Sequence, residues 1–312
     1  MKKWKWIVFI VLFLILLFPL FSGIYLASLV TRPPWYHPGL GKECSSEQIQ
    51  SAPKLCISNP ELALEIPFEP IRIPYRDSFL RGWFFPKEKG SEHLFLFVHG
   101  AGGDRRNGYK YVSTFLKAGY SVLLYDSPNH GESYNDGKGI SYGFKEKEGF
   151  LKVLSFAEKK AKNIYVFASS AGTSAVLLSH KDWKGRVKAL VLENPFFSLK
   201  RLIEENPTAK KLPYFLLRLS YFWMQVYNEF EPGMIQPGEN LKDFPEIPVL
   251  VSHGTEDKTI PFQHGLDIFQ ALPIKEKTFY KAEGAGHCRI WNHQKKAYAE
   301  QISKTFTRAL YE

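Results

Sequence analysis

The sequence predicts an α/β fold, a mostly parallel central sheet with helices on both faces. Three observations carry this. From Glu92 to Leu310 short apolar runs alternate with longer amphipathic ones, the order that right-handed β-α-β crossovers require. The apolar runs are continuous, as in His93-Leu94-Phe95-Leu96-Phe97-Val98, which is the pattern of strands covered on both faces. Residues 163–179 read as a strand (Ile164 to Ala168), a sharp turn (Ser169-Ser170-Ala171-Gly172) and a helix starting at Thr173.

Taken in order, the chain begins with Lys2, Lys3 and Lys5, followed by a stretch from Trp6 to Val30 without a charged residue. A helix of about 20 apolar residues crosses a bilayer, and Pro19 does not prevent insertion. A secretory signal has an apolar core of about 7–15 residues and an A-x-A-like exit. This run is longer and its exit, Tyr25-Leu26-Ala27, is poor, so residues 1–32 are read as a cytoplasmic N-terminus and an uncleaved transmembrane anchor. The lysines precede the span and only Arg32 closely follows it, which places the rest of the chain on the extracytoplasmic side.

Residues 33–65, rich in Pro, Ser and Gly, are read as a linker, and 66–312 as the folded domain. Ile71 to Tyr75 and Phe79 to Pro86 form two strands joined by a short turn. The alternation then gives strands at 93–98, 121–125, 164–168, 187–192, 249–252 and 276–280, and helices near 109–118, 142–160, 173–178, 262–272 and 294–310. Between 196 and 245 it is interrupted. That insertion holds Leu212 to Met224, apolar on almost every face of a helix, which must be buried, form a lid or touch lipid.

Composition narrows the function classes. A formal charge of +10 is spread among acids, with no Arg-rich or aromatic-interleaved module, so an anionic membrane surface is a better partner than nucleic acid. Cys44, Cys56 and Cys288 lack C-x-x-C spacing and suggest no structural zinc. Cys44 and Cys56 are equally compatible with a short disulfide loop and with two free thiols. No glycine turn has dinucleotide or P-loop spacing, so no cofactor is expected.

A serine hydroxyl becomes a useful nucleophile only beside a base that a third group orients. Ser170 sits in a turn whose flanking positions two residues away, Ala168 and Gly172, are small, as a tight strand-to-helix turn demands. Asp257 and His287 each follow a strand, and parallel strands present their carboxyl ends on one edge. From about Ile71 to Leu310 the chain resembles an α/β-hydrolase. His99-Gly100-Ala101-Gly102-Gly103 resembles the family's oxyanion loop, Asp126 to Ser133 its D-x-x-x-x-G-x-S segment, and His253-Gly254-Thr255-Glu256-Asp257 its acid turn. Ala stands where the elbow usually carries its first Gly.

The resemblance implies an acyl-transfer triad of Ser170, His287 and Asp257, with the backbone N–H groups of Ala101 and Ala171 as the oxyanion hole. Glu193, at another strand end, is an alternative acid. Ser169 is set aside as nucleophile because Phe167 would then occupy a small-residue position. His99, His130 and His253 are read as loop-ordering residues and Cys288 as packing. Within the superfamily the chain is most similar to membrane-anchored serine hydrolases of the monoacylglycerol lipase and prolyl-oligopeptidase types. That implies carboxylic esters, acyl-lipid esters above all, with peptides or amides as the alternative and a non-catalytic binding protein as a third reading. Whether the apolar insertion is a lid or ordinary core is left open by its pattern.

Overall fold

The structure is a computed structural model, and it describes residues 2–39, 57, 59–88 and 90–311, with the side chains of 2, 3, 10–12, 14–16 and 307–311 left aside. Cys44 and Cys56 lie outside the described residues, and with them the question of their pairing.

Eight strands form one sheet in the order β1-β2-β4-β3-β5-β6-β7-β8. The expected hairpin is β1 (Glu69–Tyr75) and β2 (Ser78–Phe85), antiparallel, with Tyr75 facing Ser78 across the turn. Strand β2 runs antiparallel to β4 (Ser121–Tyr125). From β4 outward through β3 (His93–Val98), β5 (Asn163–Ser169), β6 (Val187–Glu193), β7 (Val249–Gly254) and β8 (Lys277–Ala282) every pairing is parallel. The strand order reverses between β3 and β5, which are direct neighbours with Val98 opposite Ala168. The carboxyl ends of strands at such a reversal are the usual ligand position in open α/β sheets.

Alternate strand residues feed two core layers. On one face Leu96, Leu123, Val166 and Leu190 meet Phe150, Val153, Val176 and Trp183. On the other Phe95, Phe97, Phe167 and Val191 meet Tyr111, Phe115, Tyr298 and Phe306. The helices responsible are α3 (Tyr109–Lys117), α4 (Glu146–Ala157), α5 (Ala171–Leu178), α6 (His180–Trp183), α9 (Phe262–Ala271) and α11 (Lys295–Tyr311). Short helices α2 (Pro60–Leu64) and α10 (Ile290–His293) complete the ring. Helix α4 starts four residues later than its periodicity suggests. The Glu146 carboxylate accepts the N–H groups of Ser141 (3.0 Å) and Gly143 (2.8 Å), which folds 141–145 into a loop instead of a helical turn.

The interruption at 196–245 is a cap of α7 (Leu199–Glu205), α8 (Tyr214–Trp223) and a π-helical turn, Met224–Asn228. Its Phe196, Leu199, Leu217, Tyr221, Met224 and Phe230 form a third apolar cluster with Ala171, Ile260 and Ala27.

Residues Lys2–Thr31 form helix α1. Among the described residues no helix is long and apolar enough to cross a membrane, so the expected span is not carried by them. The stretch read as a linker differs from expectation at its start. Residues 31–39 rest on the domain, with Ile140 N–H donating to Thr31 O (2.8 Å) and Tyr36 Oη to Asn129 O (2.6 Å).

Candidate active site

The site is built from five turns at the carboxyl edge of the sheet. After β5 the chain reverses at Ser170, whose φ of 51° and ψ of −125° lie where L-residues rarely go. A Cβ at Gly172 would lie 2.5 Å from His99 O and 2.6 Å from Val98 O, so the elbow presses against the end of β3. This is the steric demand behind the small residues two positions from Ser170. Ala171 opens α5, and the first N–H groups of a helix have no intrahelical acceptor.

Ser170 Oγ is 3.0 Å from His287 Nε2, and His287 Nδ1 is 2.7 Å from Asp257 Oδ2. The three residues expected from different strand ends are therefore brought into one line. Asp257 is fully engaged. Its Oδ1 accepts from Thr259 N–H (2.8 Å) and Ile260 N–H (2.9 Å), and its Oδ2 also accepts from Asn194 Nδ2 (2.6 Å). Burial by itself would raise the Asp257 carboxyl. Hydrogen bonds from His253 and His287, the His287 charge and the Ile260 N–H outweigh it and hold the group well below its usual range. Burial likewise would lower the His287 imidazole. The Cys288 sulfur when ionised and the Asp257 carboxylate outweigh it, and the ring is raised above its ordinary value.

The turn 99–103 after β3 adjoins the elbow, and a Cβ on Gly100 would stand 2.8 Å from Ser170 Cβ. His99 holds this turn. Its Nδ1 is 2.8 Å from Gly100 O, and its Nε2 accepts from Ser127 N–H at 2.9 Å, which makes Nδ1 the donor. The next turn is organised by Asp126, which accepts from Arg105 N–H (2.8 Å) and Glu132 N–H (2.9 Å). Burial pushes Asp126 up to about 6 against the pull of Arg105. Ala101 and Ala171 thus stand on adjacent turns beside Ser170, both packed in or against the cap cluster.

Glu193, the other candidate acid, takes no part in this line. Its carboxylate is buried with no hydrogen-bond partner among the described residues, and burial raises it. Its backbone does serve the elbow, since Ser170 N–H donates to Glu193 O (2.8 Å). Ser169 pairs in register with Glu193 as the last residue of β5. A cleft of about 590 Å³ opens on His287 and is lined by Gly284, Gly286, Arg289, Asn292 and His293. Among the described residues no group of three or more His, Cys, Asp or Glu is arranged to hold a metal ion.

Residues 90–246 match the family described as serine aminopeptidase, S33, which is half of the chain. The chain belongs to the serine aminopeptidase S33 family. It is accordingly a hydrolase of the α/β-hydrolase superfamily. This family member is 26% identical over 215 residues to the uncharacterized protein YqkD of Bacillus subtilis, covering 67% of this chain and 69% of that one. It is also 26% identical over 195 residues to the lysophosphatidylserine lipase of Danio rerio, covering 60% of this chain and 49% of the lipase. The match thus spans about half the length of that lipase. Among solved structures, an esterase of Pyrococcus furiosus superposes with a TM-score of 0.65 at 20% identity, covering 81% of this chain and 95% of the esterase. An esterase of Butyrivibrio proteoclasticus with bound ferulic acid gives 0.60 at 18% identity, covering 78% and 100%. At these identities the likeness is one of fold.

Three residues of this family member escaped the sequence reading. Asn194 bridges two turns, donating to Asp257 and accepting Cys288 N–H at 3.3 Å. His253, read only as a turn residue, places Nε2 3.0 Å from Ile260 O and 3.4 Å from Asp257 Oδ2. Lys110 Nζ reaches Cys288 O at 3.2 Å and ties the histidine turn to α3. The only sequence signal was position: Asn194 directly follows a strand end, and His253 lies four residues before the acid.

Proposed function

We propose that the protein is a membrane-anchored serine hydrolase that cleaves carboxylic esters of acyl lipids through Ser170, His287 and Asp257. The observation that carries this is the line from Ser170 Oγ through both nitrogens of His287 to Asp257, at 3.0 and 2.7 Å. In this reading Ser170 Oγ attacks the ester carbonyl while His287 Nε2 takes its proton. The tetrahedral oxyanion is met by the N–H groups of Ala101 and Ala171. The intermediate collapses, the carbonyl–oxygen bond to the alcohol breaks, and His287 returns the proton to the departing alkoxide. Water, deprotonated by His287, then attacks the acyl carbon, the bond to Ser170 Oγ breaks, and His287 returns the proton to Ser170 as the acid leaves. Asp257 holds Nδ1–H toward itself and favours the imidazolium formed in each half-reaction.

Two features support lipid esters. The cap that meets Ala171 is apolar, and the charge-free run from Trp6 to Val30 has the length of a bilayer span. With Lys2, Lys3 and Lys5 on the cytoplasmic side, the hydrolase domain stands outside the cytoplasm. The lipase of Danio rerio, a relative, is named for an activity of this class. A peptidase reading on the same residues is favoured by one observation, the family's description as a serine aminopeptidase.

The test is fluorophosphonate labelling of the full chain, followed by turnover on matched esters and amides of rising acyl length. Labelling at Ser170, lost in Ser170→Ala, with preference for long-chain esters is the expected result. Faster turnover of the matched amides would replace the lipase reading with the peptidase one. Absence of labelling in a folded chain would remove Ser170 from the chemistry.

A further inference from the structure

Helix α8 has three faces with three different neighbours. Leu216, Leu217, Ser220 and Tyr221 are buried beneath the cap. Leu219 and Trp223 lie against α1, where a Cβ on Gly23 would stand 2.6 Å from the Leu219 side chain. The third face is bare. Tyr214, Phe215 and Phe222 are each more than half exposed, and the exposure runs on to Val226 and Tyr227 of the π-helical turn, where Arg32 lies 5.7 Å from the Tyr227 ring centroid. On the side of α1 turned away from that contact, Phe18, Phe21 and Tyr25 are exposed as well. An exposed apolar surface of this extent marks an interaction site. Exposed Arg218 lies between Phe215 and Phe222 on this face, and exposed Lys210 and Lys211 precede the helix.

The junction between α1 and the domain is stiff. Besides the Thr31 and Tyr36 hydrogen bonds, Tyr142 Oη donates to Val30 O at 2.9 Å, and Arg32 is bonded to Gly137 O. A Cβ on Gly102 would stand 2.5 Å from the Trp35 ring, so Trp35 lies on the turn beside Ser170. Ala27, one turn before the end of α1, belongs to the same apolar cluster as Ala171. No loose tether separates helix and site.

We propose that the bare face of α8 is seated in the lipid surface beside α1, so that the site is held at a fixed attitude with its cap in the bilayer interface. The inference rests on the anchored-esterase reading and specifies its substrate source, single-chain esters drawn from the membrane rather than from water. The occupant follows from position. Gly23 lies eight residues before Thr31, about 12 Å along a helix, inside the charge-free run. A helix packed on α1 at that level shares the phase α1 occupies there, the boundary of headgroups and acyl chains where amphipathic helices lie. Arg218 within this face and Lys210 and Lys211 before the helix suit anionic headgroups.

The test uses the full chain in vesicles of phosphatidylcholine with phosphatidylglycerol, comparing wild type with Phe215→Glu/Phe222→Glu. A water-soluble short-chain ester and a monoacylglycerol embedded in the vesicles are the two substrates. Turnover of the soluble ester should stay within about twofold, while turnover of the embedded one falls about tenfold or more, the scale set by one large side chain's transfer from water. Equal loss on both substrates, or no loss on either, overturns the proposal. A direct reading comes from a fluorophore on Phe222→Cys, measured against the same chain labelled without that cysteine. Quenching by a lipid-borne quencher and shielding from iodide are expected; the reverse pattern overturns the seat. If wild type cleaves no ester yet the label is lipid-quenched, the seat stands and the esterase reading is the one that fails.

Discussion

Replacing Ser170 by alanine and by glycine separates a reactive group from a strained backbone. Ser170 holds φ 51° and ψ −125°, and such conformations cost a non-glycine residue about 1–3 kcal/mol. Both variants lose the hydroxyl and its contact with His287, so that loss cancels between them. Alanine keeps Cβ and the strain; glycine releases it. Against this, glycine gives up more backbone freedom on folding, about 0.5–1 kcal/mol. Central values of about 2 and about 0.75 kcal/mol leave Ser170→Gly more stable than Ser170→Ala by about 1 kcal/mol. At an ordinary helical or strand position the order is the opposite, so the sign alone is diagnostic. A chain of this size shifts its thermal midpoint by about 1.5 °C per kcal/mol, which puts the glycine variant about 2 °C higher. Midpoints of the two variants in one detergent, followed by near-UV circular dichroism, make the comparison, with ester turnover at background in both. A glycine midpoint equal to or below the alanine midpoint would refute the strained elbow.

Other outcomes follow from the same geometry. Because Cys288 and Asp257 together outweigh burial and raise the His287 ring, the ascending limb of kcat/KM against pH should lie above the ordinary histidine value of about 6.5 in wild type. Asp257→Asn should move that limb to lower pH while cutting the rate about 10⁴-fold; an unmoved limb would detach Asp257 from His287. Since the Asp257 carboxyl is depressed in the fold, its contribution to stability is present above about pH 4 and is lost as pH falls toward the folded value. Urea unfolding should therefore show the advantage of wild type over Asp257→Asn shrinking below pH 4. Glu193→Gln should leave kcat/KM within about threefold, the Brønsted cost of a catalytic group being absent; a hundredfold loss would make Glu193 the working acid. Gly131 has φ 50°, and a Cβ there would lie 2.1 Å from Asp126 Oδ2. Gly131→Ala should cost about 2–5 kcal/mol in urea unfolding, left-handed backbone and overpacking together, and a change under about 0.5 kcal/mol would contradict that contact.

Most of the fold was legible because each strand of the parallel sheet carries its own signal. A run buried on both faces must be apolar throughout, and β3 and β4 coincide with the runs 93–98 and 121–125. The elbow was legible for a steric reason, since only small residues fit two positions from Ser170. The start of α4 was not, because a carboxylate that gathers two backbone N–H groups from its own loop leaves no periodic trace. Asn194 and His253 were missed for a related reason: a side chain that supports Asp257 is chosen by the position of a residue far away in sequence.

What the sequence alone determined, then, is what local pattern encodes: the strand and helix alternation, the tight turn at Ser170, and the placement of Asp257 and His287 at strand ends. The tertiary structure decided what depends on distance. It set the reversal of strand order that puts the 99–103 turn beside the elbow. It paired His287 with Asp257 and left Glu193 apart. It also laid the end of α1 and Trp35 against the site, where a linker was expected. Periodicity reports which face of an element is covered, and contacts between residues over a hundred positions apart report what covers it.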